Sequence, residues 1–149
     1  MININFLYFF SEIVGKYTQE LRALGLRILD LISEGLGLSP NYFSEELSAN
    51  PVLISHNYPP CPEPSLTLGA SRHKDPNILT ILFQEPNITA LQVLKDGAWI
   101  PVEPIPDAFV VNMGFMLQVH ISSYTILVFD INRLSLCKLN PYNLSRKST

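Results

Sequence analysis

Ala90-Leu91-Gln92-Val93-Leu94-Lys95-Asp96-Gly97-Ala98-Trp99-Ile100-Pro101-Val102 is the stretch on which the fold reading turns. Two apolar-rich runs flank Asp96-Gly97, a dipeptide that tolerates the positive φ of a two-residue hairpin turn. Outward from this hairpin, Ala108–Asn112 reads as a strand and Ile78–Gln84 as a buried one. Val52, Leu53 and Ile54 can form a further strand, whereas Tyr58-Pro59-Pro60-Cys61-Pro62-Glu63-Pro64 must be extended loop, because proline lacks a ladder donor. Nine of the twelve prolines fall between Pro59 and Pro106, so the middle of the chain cannot be mostly helix.

Helices are expected at the N-terminal side. Val14, Tyr17, Leu21, Leu24, Ile28 and Leu31 repeat at a 3-4-3-4-3 spacing and predict one amphipathic helix over 12–36. Gly35 and Gly37 offer left-handed stop positions, and the apolar run Phe6–Phe10 reads as a helix start or an exposed stub. Ser39-Pro40 then opens a shorter helix to about Leu47, with Ser39 as cap. Beyond Met113 the plan is less clear: Tyr124–Phe129 could be a strand, Asn140–Asn143 a turn, and the polar end frayed. Strands following segregated helices give an α+β chain with an antiparallel sheet.

The 149 residues suit one domain, since a chain of about 150 residues hides about 70% of its unfolded surface. With 47% hydrophobic and 15% charged residues, general disorder is excluded. Ten basic side chains against thirteen acidic ones, with no basic stripe, argue against nucleic acid as a partner. No stretch reads as a membrane span or an export signal, so a cytosolic (cytoplasmic) protein with reduced Cys61 and Cys137 is expected. Charge is uneven: residues 1–109 carry six basic and twelve acidic side chains, net −6, while residues 110–149 carry four and one, net +3.

Of the three histidines only His73 has suggestive neighbours. In His73-Lys74-Asp75 an imidazole and a carboxylate stand two residues apart, and on extended backbone i and i+2 share a face. Both can therefore reach one ion, as two members of a 2-His-1-carboxylate facial triad for Fe(II). A surface pair has the same letters, and the third ligand must come from elsewhere.

The surrounding blocks sharpen this. Asn57-Tyr58-Pro59-Pro60-Cys61-Pro62-Glu63-Pro64, Leu66-Thr67-Leu68-Gly69, His73-x-Asp75-Pro76 and Leu79-Thr80 stand in order. Gly35-Leu36-Gly37-Leu38 precedes them; Leu91-Gln92-Val93, Gly97-x-Trp99, Pro104-Ile105-Pro106, Phe109–Gly114 and Leu117-Gln118-Val119 follow. Collinear over about residues 12–119, this pattern resembles the plant Fe(II)- and 2-oxoglutarate-dependent dioxygenases, in the branch of the hyoscyamine 6-dioxygenase-like and flavonoid-type oxygenases. The resemblance implies N-terminal helices plus a double-stranded β-helix (jelly roll), incomplete here, with iron held by His73, Asp75 and a distal His. Tyr58 matches a family tyrosine whose hydroxyl helps hold 2-oxoglutarate. The implied cofactors are Fe(II), 2-oxoglutarate as cosubstrate and ascorbate as an optional reductant. The implied partners are O2 and a small molecule of plant specialised metabolism, oxidised as 2-oxoglutarate yields succinate and CO2.

Four departures accompany the resemblance. The distal His is expected near Phe129, Asp130 and Ile131, none of which is His, and His120 comes too early to be assigned to iron. Arg133-Leu134-Ser135 and Arg146-Lys147-Ser148 carry the letters of the family's cosubstrate-binding Arg-x-Ser without its flanks. Phe115 stands where an Asp is common, and His56 where a polar Asn is. The expected layout is a helical segment over 1–50, a partial oxygenase domain over 51–119 and a divergent tail over 120–149. Such a chain reads as a fragment with an impaired site, its tail derived from retained intron or frameshifted sequence. The alternative is a non-catalytic interaction or regulatory fragment associating with an intact relative.

Overall fold

The hairpin forms as expected. A computed structural model describes residues 4–43, 51–124 and 137–139, and in it Asp96 and Gly97 adopt φ 52° and 82°. Two consecutive positive φ values make the turn whose twist matches that of paired strands. It joins β3 (Leu91–Lys95) to β4 (Ala98–Pro101) in antiparallel register, Gln92 opposite Pro101 and Lys95 opposite Ala98. Pro101 is tolerated because β4 ends the strand order of its sheet among the described residues.

The chain divides into two compact units, Met1–Ser55 and His56–Thr149. In the first, α1 spans Ile4–Gly35, so the opening apolar run belongs to the helix. Its end is a Schellman motif: the Leu38 amide donates to Ser33 O and the Gly37 amide to Glu34 O, with Gly37 at φ 70°. Gly35 is the last helical residue and not a left-handed stop. The buried face also differs from the expected stripe. Leu31 is 67% exposed, whereas Leu29 and Ser33 are buried. A 3.5-residue repeat drifts by about 20° per heptad on a straight helix, so the buried positions slide one residue later. After Gly37 the helical backbone resumes at Tyr42 and not at Pro40, with Asn41 at φ 66°; the continuation to Leu47 lies outside the described residues. Val52, Leu53 and Ile54 are exposed and form no strand, since β-branched residues make one only with a partner to pair with.

The second unit holds the strands. After the proline-rich loop, a 3-10 turn over Pro64–Leu66 leads to β1 (Ala70–His73). β2 (Leu79–Leu82) pairs antiparallel with β5 (Val110–Met113), Leu79 opposite Met113 and Leu82 opposite Val110. The Phe83 and Phe109 rings continue that ladder edge-to-face, 5.8 Å apart. β6 (Cys137–Leu139), in a stretch where no strand was expected, enters the other sheet between β1 and β3, giving the order β1-β6-β3-β4. Among the described residues every strand pair is antiparallel, and the buried apolar residues of this unit are Ile78, Ala90, Leu91, Leu117 and Ile121.

α2 (Phe115–Tyr124) follows β5 directly. It absorbs Tyr124; the rest of the strand expected to Phe129, and the Asn140–Asn143 turn, lie outside the described residues. Among the described residues no helix is long and apolar enough to cross a membrane.

Candidate metal centre

β1 ends at His73, and the chain runs on through Lys74 and Asp75 before Pro76 and a bend to β2. This passage brings His73 Nε2 within 3.6 Å of Asp75 Oδ1, with the His73 side chain 47% exposed and that of Asp75 18%. The spacing suits a shared ion. Donors each about 2.1 Å from one ion, and about 90–120° apart at it, are separated by about 3.0–3.6 Å. The imidazole is also held in a useful orientation. Its Nδ1 lies 2.7 Å from the Ser71 carbonyl oxygen, which can only accept, so Nδ1 carries a proton and Nε2 is the nitrogen turned toward Asp75 and available to a metal.

The carboxylate's backbone is fixed from the far side of the sequence. The Phe115 amide donates to Asp75 O at 2.7 Å, Gly114 N to Ile78 O at 2.7 Å, and Met116 N to Asn77 O at 3.2 Å. Phe115 and Met116 begin α2, where the first amides have no intrahelical acceptor, so the bend between β1 and β2 supplies them. Lys74 Nζ stands 5.7 Å from the centre of the Phe115 ring. Sequence reading missed this support. The visible signal was Gly114 in the Asn112-Met113-Gly114 block, a residue type that permits close backbone approach.

The other candidates have contacts of their own. Tyr58 is half-buried in the loop before β1 and stacks on His56, with rings 5.9 Å apart and 20° from parallel. His120 lies on α2 and its Nδ1 donates to Met116 O at 2.9 Å. Among the described residues no three His, Cys, Asp or Glu side chains are grouped to hold a metal ion. The positions expected for the distal His, Phe129 to Ile131, and both Arg-x-Ser candidates lie outside the described residues.

Residues 49–124 match the 2OG-Fe(II) oxygenase superfamily. The chain is 51% identical over 110 residues to the Arabidopsis thaliana protein DOWNY MILDEW RESISTANCE 6, covering 73% of this chain and 32% of that protein. It is 50% identical over 111 residues to hyoscyamine 6-dioxygenase of Hyoscyamus niger, covering 74% of this chain and 32% of the relative. The chain thus spans about a third of the length of these curated relatives. Among solved structures it is similar to JOX2, crystallised with 2OG, Fe and JA, at a TM-score of 0.67 and 33% identity, over 86% of this chain and 37% of that one. A full-length Neurospora crassa protein crystallised with alpha-KG shares the fold at a TM-score of 0.70 and 21% identity, over 88% of this chain and 43% of that one. The match across 49–124 includes both His73 and Asp75, and on it the chain belongs to the 2OG-Fe(II) oxygenase superfamily.

Proposed function

We propose that this chain is part of an Fe(II)- and 2-oxoglutarate-dependent oxygenase that oxidises a small plant metabolite. The observation that carries this reading is the His73 Nε2–Asp75 Oδ1 distance of 3.6 Å, with the other ring nitrogen tied to Ser71 O. His73 offers an imidazole nitrogen and Asp75 a carboxylate oxygen, a borderline and a hard donor that together suit Fe(II). Bound Fe(II), with 2-oxoglutarate and O2, supplies the oxidising power. Tyr58 would donate its phenolic hydrogen to a carboxylate of bound 2-oxoglutarate. Names among the relatives agree with a small substrate, hyoscyamine 6-dioxygenase and flavanone 3-dioxygenase 2 of rice being two.

In this reading the isolated chain has an impaired site within an incomplete jelly roll. The described residues offer two ligands, and a third has no candidate beside them. Phe129, Asp130 and Ile131, where the resemblance expects a distal His, are not histidines, and this departure also favours a second reading, a non-catalytic fragment that pairs with an intact relative through open strand edges.

Fe(II)-dependent release of CO2 from 2-oxoglutarate separates the two. Slow release that His73→Ala abolishes supports an impaired enzyme. Metal binding without release, joined by co-elution with a full-length homologue, supports the interaction fragment. A wild-type chain that binds no Fe(II) overturns the metal reading.

A further inference from the structure

We infer that the segment Gly114–Met116 is the positioning device for the metal-binding carboxylate, so that the start of α2 sets the metal affinity of the His73–Asp75 pair. The inference rests on the proposed metal site and adds residues that do not touch the ion.

Three backbone donors meet three acceptors along the bend: Phe115 N to Asp75 O, Met116 N to Asn77 O, and Gly114 N to Ile78 O. Together they hold the whole bend from Asp75 to Ile78. The approach is too close for any side chain at 114, since a Cβ there would lie well under 3.0 Å from Asn77 O. Asn77 Oδ1 in turn accepts from Thr80 Oγ1 at 3.4 Å, joining the bend to β2. His73 is held independently, through Ser71 on its own strand. The two ligands are therefore positioned by different elements, and the start of α2 fixes Asp75 relative to His73. Without the Phe115 amide, Asp75 would keep its carboxylate but lose the anchor of its backbone.

Phe115→Pro removes this donor while suiting the first helical position, where proline is tolerated. Phe115→Ala is the control: it keeps the amide and removes only the ring over Lys74. In the full 149-residue chain, Co(II) titration followed by visible absorption should show Phe115→Ala within about twofold of wild type. Phe115→Pro should bind about tenfold or more weakly, the range typical when an outer hydrogen bond to a metal ligand is lost. A second measurement needs no variant. Saturation of the wild-type chain with Zn(II) should slow hydrogen exchange of the Phe115 amide several-fold, and His73→Ala should abolish that slowing.

Equal Co(II) affinity in Phe115→Pro and Phe115→Ala, with binding still lost in His73→Ala, would overturn the inference and leave the metal site standing. Unchanged Phe115 exchange on Zn(II) saturation would do the same. A wild-type chain that binds neither ion overturns both.

Discussion

A Cβ placed on Gly114 would collide with the carbonyl oxygen of Asn77, well inside the 3.0 Å that real Cβ contacts respect. β5 and the bend after β1 therefore meet only because residue 114 has no side chain. Gly114→Ala must push the two apart and weaken the hydrogen bonds of Gly114, Phe115 and Met116 across the gap. We expect a loss of about 1–3 kcal/mol, the usual range for overpacking. Urea denaturation against wild type measures it, and an unchanged midpoint would refute the close approach.

His73 is nearly half exposed, and its contact with Asp75 is a near-surface one. Removing it should cost the fold little, under about 1 kcal/mol. His73→Ala and Asp75→Ala are therefore expected to melt close to wild type yet lose Fe(II) or Co(II) binding. Equilibrium dialysis beside thermal melting checks this, and a variant that retains metal would remove its residue from the site.

Tyr58→Phe deletes one hydroxyl from a half-buried ring that stacks on His56. If that hydroxyl donates to 2-oxoglutarate, affinity for the cosubstrate should fall several-fold, matching about 1 kcal/mol for one hydrogen bond. Calorimetric titration of 2-oxoglutarate in the presence of Mn(II) tests it, and unaltered affinity would free Tyr58 of the role.

Gly97 adopts φ 82° with open space around the position of its missing Cβ. Gly97→Ala should thus report backbone strain alone, at about 1 kcal/mol. Chemical denaturation supplies the number, and a stabilised variant would exclude the two-residue turn described for β3 and β4.

Leu117 is completely buried on α2. Truncation to Ala should cost about 2–5 kcal/mol, because a cavity is added to the lost transfer energy. A small effect in urea denaturation would mean that α2 does not dock as described.

Local chemistry made much of this chain legible in advance. Asp96-Gly97 specified its hairpin because two adjacent residues suffice to choose the turn. The α1 stripe was readable for the same reason, although its 3.5-residue spacing misplaced the buried face by one residue near Leu31. His73 and Asp75 could be paired on paper because two residues of extended chain return a side chain to the same face. Val52–Ile54 shows the limit of that logic: strand-forming residues remained unpaired loop, since pairing is a property of the partner.

What the tertiary structure alone decided is everything that joins distant positions. β6 enters between β1 and β3 from a stretch with no strand pattern, and Phe115–Tyr124 becomes helix where no helical period announced it. The hydrogen bond from Phe115 to Asp75 spans forty residues and involves only backbone atoms. Side-chain identity carries no record of such a bond, apart from the glycine that makes room for it. Sequence put His73 and Asp75 side by side; only the packed structure shows the backbone of Asp75 tied to the start of α2.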